Sequence, residues 1–300
     1  MAVPHPEPVD VTLQQGLTRE TQSWGRLFWH RFRRHKLAQA GLLVLLLIAL
    51  GSIFAPQLSP YDPASTDLVN RLSPPSSEHW LGTDRYGRDV YTRLLYGGRV
   101  SLAVGVSAMA ISVVLGTLIG AVAGFFGGAV DNLLMRLVDV VISLPGLMFL
   151  ILVVSLFGRG PVNLVLVLGF LSWPGVARLV RGEILSLRQR EFVEAARAVG
   201  AGSWALIFRH LLPNAMAPII VATTLGVATV ILIEAGLGYL GLGVPPPLPS
   251  WGNMIFEGQQ LLRQAWWLLV FPGAAIFLTV LCFNLVGDAL RDALDPRLKS

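Results

Sequence analysis

The sequence predicts an all-α, polytopic membrane protein with six transmembrane helices and both termini in the cytoplasm. Three observations carry this. Only 14% of the 300 residues are charged, 54% are hydrophobic, and the mean hydropathy is +0.64. A soluble domain has roughly 25% charged residues, and no core of this size could bury so much apolar surface. Six runs lack Asp, Glu, Lys and Arg and approach the roughly 20 residues a helix needs to cross the bilayer core. Finally, Lys and Arg crowd onto alternate connections, as retention on the cytoplasmic side requires.

Residues 1–36 form a polar cytoplasmic segment ending in Arg26, Arg31, Arg33, Arg34 and Lys36. The first apolar run follows it, Leu37–Ala55, long enough to span, which fits a cleavable signal peptide poorly. Residues 37–99 hold this span and an extracytoplasmic loop, and five further spans occupy a core of 100–290. Span 2, Val100–Val130, is long enough to continue into a loop. Within it Ser112, Gly116, Gly120, Gly124 and Gly128 recur every four residues, one helical face on which another backbone can approach closely. The pattern fits a contact inside the chain and one with a second subunit alike. Spans 3 and 4, Val140–Gly158 and Gly160–Ala177, are separated only by Arg159 and read as a hairpin. Span 5 is Leu211–Ile233. The uncharged run Ala235–Phe256 holds four prolines and five glycines, too many for a regular helix, and reads as a loop or re-entrant segment. Span 6 is Gln264–Gly287, and 291–300 form a cytoplasmic tail. Pro145, Pro174, Pro218 and Pro272 lie in or near spans and are expected to kink them. With the N-terminus inside, 16 of the 23 Lys and Arg fall on inner segments and seven on outer ones.

That distribution makes the basic balance a topology signal and argues against nucleic-acid binding. The lone cysteine, Cys282, excludes a disulfide framework and reads as a small buried hydrophobe. The five histidines, His5, His30, His35, His79 and His210, show no metal spacing, so neither a metal site nor a cofactor bound by this chain is expected. Gly236-Leu-Gly-Tyr-Leu-Gly241 fits G-x-G-x-x-G, but the Val244-Pro-Pro-Pro247 that follows forbids the helix a dinucleotide site needs. There is no P-loop lysine motif, and no catalytic constellation, so the chain is not expected to be an enzyme. Asp139 and Glu234 sit at span ends, and no span carries the central paired charges of a proton-coupled transporter. Any energy for transport therefore comes from a partner.

The largest inner loop, 180–214, is the most informative. Glu191–Val199 is a good helix former, Gly200-Ala-Gly202 breaks it, Ser203 can cap a second helix, and Trp204–Leu212 runs to Pro213. Two short helices bearing Phe192, Val193, Trp204, Leu206, Ile207 and Phe208 invite a protein partner. An amphipathic pair lying on the membrane fits the pattern equally.

Glu194-Ala195-Ala196, Gly200 and Leu212-Pro213 resemble the EAA loop of ABC importer permeases, with the spacing met throughout. His210 stands where the family has Ile. Leu81-Gly82-Thr83-Asp84, Gly87-Arg88-Asp89, Arg93 and Tyr96–Leu102 resemble the signature before span 2 in the peptide-type branch. Glu234–Gly243 with Pro245–Gly252, Phe125–Gly128, Met135-Arg136 and Phe283–Arg297 extend the likeness over roughly residues 24–299. The chain is similar to C-type permease subunits of dipeptide, oligopeptide or nickel importers.

The resemblance implies the type I ABC importer permease fold in the bacterial inner membrane. It also implies a second homologous permease, two cytoplasmic ATPases that use ATP, and an extracytoplasmic solute-binding protein. Glu194, Ala195, Ala196, Gly200, Ser203, His210, Leu212 and Pro213 would dock the ATPase. The outside loop Gln57–Arg99, which holds the motif Gly82, Thr83, Asp84, Gly87, Arg88 and Asp89, and the segment Gly241–Gln264 would meet the binding protein or form an outer gate. The charges Asp84, Arg85, Arg88, Asp89 and Arg93 fit an internal salt-bridge network equally. Dipeptides and oligopeptides lead as substrates, with glutathione and nickel as alternatives. A stand-alone secondary transporter is a distant one.

Overall fold

The computed structural model describes residues 35–294; the basic cluster at Arg26–Arg34 and the end of the C-terminal segment lie outside them. The described chain is helical: α1 (Lys36–Ile53), α2 (Ala55–Leu58), α3 (Val90–Phe126), α4 (Gly128–Ser143), α5 (Gly146–Phe157), α6 (Pro161–Leu187), α7 (Glu191–Ala198), α8 (Ser203–Tyr239), α9 (Trp251–Gly258) and α10 (Trp267–Leu294). Five of these, α1, α3, α6, α8 and α10, are each long and apolar enough to cross a membrane. Helices α4 and α5 are apolar enough only as a pair, bent by 84°, and make a sixth crossing if the two together are one span.

That bend falls where Pro145 is expected to kink the span Val140–Gly158, and it divides the run into two helices. Leu144, held before Pro145, takes an extended conformation, φ −69° and ψ 135°, as the proline ring demands of the residue before it. The helix stops there and restarts at Gly146. Pro174, Pro218 and Pro272 instead lie inside continuous helices. The predicted hairpin is present. Asn163 Nδ2 donates to the carbonyls of Phe157 (2.8 Å) and Gly158 (3.1 Å), closing the end of α5.

The other helices overrun their predicted limits. Asp89 starts α3 ten residues early by accepting from the Thr92 N–H, an N-cap that satisfies one orphan donor of the first turn. At 37 residues α3 is about 55 Å long, well beyond the bilayer core. Helix α6 continues ten residues past Ala177 to Leu187, so much of the inner loop is its extension. The run Ala235–Phe256 is divided: Tyr239 ends α8, Leu240–Ser250 is a loop, and Trp251 opens α9. The G-x-G-x-x-G match therefore lies at a helix C-terminus, with no strand before it.

The small-residue stripe of α3 meets α6. A Cβ on Gly116 would lie 2.6 Å from Val176 Cβ and 2.8 Å from the Trp173 carbonyl. One on Gly120 would strike the Ala177 carbonyl and lie 2.9 Å from Val180 Cβ, and one on Gly124 would lie 2.8 Å from the Arg181 carbonyl. From α6, Gly169 reciprocates against Ile111 and Ala108. The contact is internal to the chain, and such close backbone approach is what drives helix association where both helices are apolar. Gly120→Val is expected to lower the apparent melting midpoint of the detergent-solubilised protein strongly, because the carbonyl it meets cannot yield. Gly175→Ala, on the same α6 but with nothing within 4 Å of the new Cβ, is expected to be neutral or stabilising by about 0.5–1 kcal/mol. Equal melting shifts for the two would refute the packing account.

The core runs from Val193 at one end of the bundle to Val244 at the other, through residues of α3, α6 and α8. Helix α10 packs between α8 and α1. Cys282 is buried there, its backbone facing Gly41.

Candidate functional site

At the inner end, α6 turns at Leu187–Arg190 into α7. Glu191 and Glu194 occupy the first turn of α7 and Arg197 its last, the charge order that complements the helix dipole. Gly200 ends it with φ +89°. Its N–H donates to the Arg197 carbonyl (2.9 Å) and that of Ala201 to the Ala196 carbonyl (3.0 Å), a Schellman ending that needs a left-handed residue. Nothing lies within 4 Å of a Cβ on Gly200, so the glycine is there for its backbone. Ser203 is exposed and makes no capping bond; Gly202 is the N-cap residue.

The second helix does not stop at Pro213. Ser203 to Tyr239 is one 37-residue helix. A π turn over Leu206–Leu211 widens the coil just before the proline, relieving the clash between its ring and the carbonyl four residues back. Here His210 is half-buried and its carbonyl accepts from Asn214 Nδ2 (2.6 Å).

The turn divides cleanly by exposure. Val193, Leu206, Ile207 and Leu211 are buried, and Ala196, Ala201 and Leu212 pack against the core. Glu194, Ala195, Gly200, Pro213, Phe192, Val199, Trp204 and Phe208 are exposed. Trp204 stacks on Phe208 (centroids 6.0 Å) and meets Phe126 at the end of α3 edge-on (6.2 Å). The carboxylate of Glu194 has no ion pair among the described residues.

Charges that sequence reading did not pair fasten the scaffold beside this turn. Arg181 makes two hydrogen bonds to Asp131 (2.5 and 2.6 Å), joining α6 to α4. Arg188 donates to the carbonyls of Gly124 and Phe125 at the end of α3, and Arg178 pairs with Asp139 (2.6 Å). Helical spacing cannot show these pairs, since the partners are about 40–60 positions apart.

At the outer end, the loop before α3 folds into a buried charge cluster. Arg88 holds Asp84 (2.6 Å) and Glu257 of α9 (2.5 Å), while Arg93 lies 3.1 Å from Glu257 and 3.6 Å from Asp84. His79 Nδ1 is 2.9 Å from Asp89. Of the five charges considered together, only Arg85 is apart, exposed over the Tyr86 ring. Thr83 is locked by its hydroxyl to the Asn70 carbonyl, and its own carbonyl accepts from Trp267 Nε1 (3.1 Å). Gly82 and Gly87 have positive φ, and a Cβ on either would meet the backbone of Ser73 or Asp67. Asn70 and then the Val69 N–H donate to the Asp67 carboxylate, holding its pKa below the ordinary value. Glu257 is the residue sequence analysis missed. It is the acid that ends the uncharged run Ala235–Phe256, a signal available in principle, but its partners lie more than 160 positions away.

Trp251 closes this end. Its Nε1 donates to the Leu94 carbonyl (3.0 Å), and Gly97 and Gly98 leave room for its ring. Glu234 is fully buried and accepts from Ser101 Oγ (3.0 Å).

Known proteins share this architecture and sequence. The model for "Binding-protein-dependent transport system inner membrane component" matches residues 116–300, and that for the "N-terminal TM domain of oligopeptide transport permease C" matches 23–75. A dipeptide transport system permease protein of Alkalihalophilus pseudofirmus is 43% identical over 277 residues, 92% of this chain and 91% of the relative. An oligopeptide transport system permease protein of Bacillus subtilis is 44% identical, covering 90% of this chain and 88% of the relative. A glutathione transport system permease protein of Pectobacterium atrosepticum is 45% identical over 92% of each. Among solved structures, an inward-facing MetNI methionine ABC transporter shares the fold with a TM-score of 0.53, over 67% of this chain and 96% of that one, at 20% identity. With that family model matching more than half of the chain, and relatives 43–45% identical over about nine-tenths of it, the chain belongs to the binding-protein-dependent transport system inner membrane component family.

Proposed function

We propose that this chain forms half of the translocation pathway of an ATP-driven importer of dipeptides or oligopeptides, the other half being a second homologous permease. Two cytoplasmic ATPases dock on the Glu194–Pro213 turn, and a solute-binding protein delivers peptide from outside. The chain itself binds no ATP and carries out no chemistry. A peptide cargo is supported by the relatives at 43–45% identity, which are named for dipeptide, oligopeptide and glutathione transport. The last of these keeps glutathione as a second reading.

One observation carries the mechanism: the second half of the exposed turn, from Ser203, and span 5 are a single helix. Closure of the ATPase pair on ATP moves the turn, and α8 passes that movement along about 55 Å to Glu234 and the loop at Leu240–Ser250. The cavity then opens outward to receive peptide and returns inward after hydrolysis, alternating access between two states of different affinity for ATP. At the outer end, the segment Gly82–Asp89 with α9 offers a rigid face to the binding protein.

Uptake of a labelled dipeptide tests this in cells lacking the chain, against cells carrying it or a Glu194→Arg variant. Uptake restored by the unmodified chain alone supports both cargo and coupling. Unmodified chain that restores glutathione but not dipeptide uptake would replace the cargo, and uptake by the variant at the full rate would remove the coupling role.

A further inference from the structure

Among the described residues, Arg99 is an unpaired charge of the outer half that lines a cavity. Arg88 and Arg93, just before it, are committed to Asp84 and Glu257, whereas Arg99 is exposed and has no hydrogen bond or ion pair among the described residues. It lines an open cavity of about 590 Å³ bordered by the outer part of α3, the start of α6 and the loop at Leu248–Pro249. That volume lies within the usual range of small-molecule sites, about 300–1,000 Å³. Apart from Arg99, the lining is apolar (Val165, Leu248 and Pro249 among it) with two hydroxyls, Tyr96 and Ser107.

We propose that this cavity is a peptide subsite in which the Arg99 guanidinium binds the C-terminal carboxylate of the cargo; the inference rests on the peptide reading above. A guanidinium offers a fork of donors matched to a carboxylate. The carboxylate is the one anionic group common to peptides of every sequence, and an apolar wall accepts varied side chains without directed contacts. The dimensions agree. Arg99 and Ser107 are eight residues apart on α3, about 12 Å along its axis, and an extended peptide advances about 3.3 Å per residue. Two or three residues fill the interval, which leaves Ser107 to meet the amino end. Arg159, two positions before the cavity-lining Pro161, adds positive charge on the same outer side and favours an approaching anion.

The test uses the intact permease–ATPase complex without binding protein, so that recognition by the latter does not enter. A dipeptide bearing a benzophenone side chain is photolabelled onto the complex as the free acid and as the C-terminal amide. For the acid, Arg99→Ala is expected to raise the half-labelling concentration about 10–100-fold, the range for a charged hydrogen bond lost. Arg99→Lys is expected to recover part of this. For the amide, already weak on the unmodified chain, Arg99→Ala is expected to change nothing. Equal shifts for acid and amide would make Arg99 merely structural, and an unchanged acid would remove it from the site. Loss of complex assembly in Arg99→Ala would assign it to a partner chain; each of these overturns the proposal. Dipeptide uptake by cells carrying the unmodified chain separates the two levels. Positive uptake with indifferent Arg99 overturns the subsite alone, and no uptake of any peptide overturns the peptide reading and the subsite with it.

Discussion

Glu194→Arg abolishes uptake, by at least about 30-fold, while the subunit still inserts and folds. The carboxylate is exposed and without an internal ion pair among the described residues, so its reversal costs the chain only the dipole match in the first turn of α7, about 0.3–1 kcal/mol. The rest of the expected effect falls on the docking proposed for this turn, where a reversed charge that meets a like one costs several kcal/mol. Gly200 gives a second handle of a different kind. Its φ of +89° costs an ordinary L-residue about 1–2 kcal/mol, and nothing crowds its Cβ. Gly200→Trp is expected to abolish uptake by misdirecting α7 and crowding the surface proposed for docking. Gly200→Asn, which tolerates the left-handed region, retains a substantial share. Parallel assays of uptake and of ATPase co-purification check both. Full uptake by Glu194→Arg, or equal loss for Trp and Asn at Gly200, would show that the turn does not couple as described.

Glu257→Ala is expected to destabilise the protein by about 3–5 kcal/mol, because it leaves two buried guanidiniums sharing one carboxylate, Asp84. The side chains of Arg88 and Arg93 are 8% and 2% exposed, so water cannot replace the lost partner. Glu257→Gln keeps an acceptor and is expected to cost about half as much. The pair Arg93→Met with Glu257→Leu is expected to recover much of the loss, since apolar groups of similar volume in place of a buried pair are often neutral. Apparent melting midpoints in detergent measure all three. A Glu257→Ala protein that melts within a degree or two of the unmodified one would mean that the cluster contributes little to holding α9 against the loop before α3.

The two clusters were unequally visible in the residue order. The inner turn depends on close neighbours: a dipole-matched helix from Glu191, a left-handed glycine at 200 and a proline at 213 are all set by residues within a few positions of one another. Two details were misread: Gly202, not Ser203, is the N-cap, and the helix does not end at Pro213, because a π turn lets the coil pass a proline and nothing local announces that turn. The outer cluster was half visible. Asp84, Arg88, Asp89 and Arg93 stood out as a group, but their closure depends on Glu257 and His79.

Composition and local spacing alone determined that the chain lies in a bilayer and roughly where its apolar helices fall, and they set the expectation that the inner turn faces the cytoplasm. Each of these follows from a residue's solvent or from its neighbours one or two turns away. Only the folded chain decided that the glycine stripe of α3 is spent on α6, that span 3 breaks at Leu144, and that Glu257 closes on Arg88 and Arg93. The reason is physical. Backbone approach, ion pairing across 160 positions and the emptiness beside Arg99 depend on which helix faces which, and in an apolar sequence many pairings satisfy the same hydrophobic pattern.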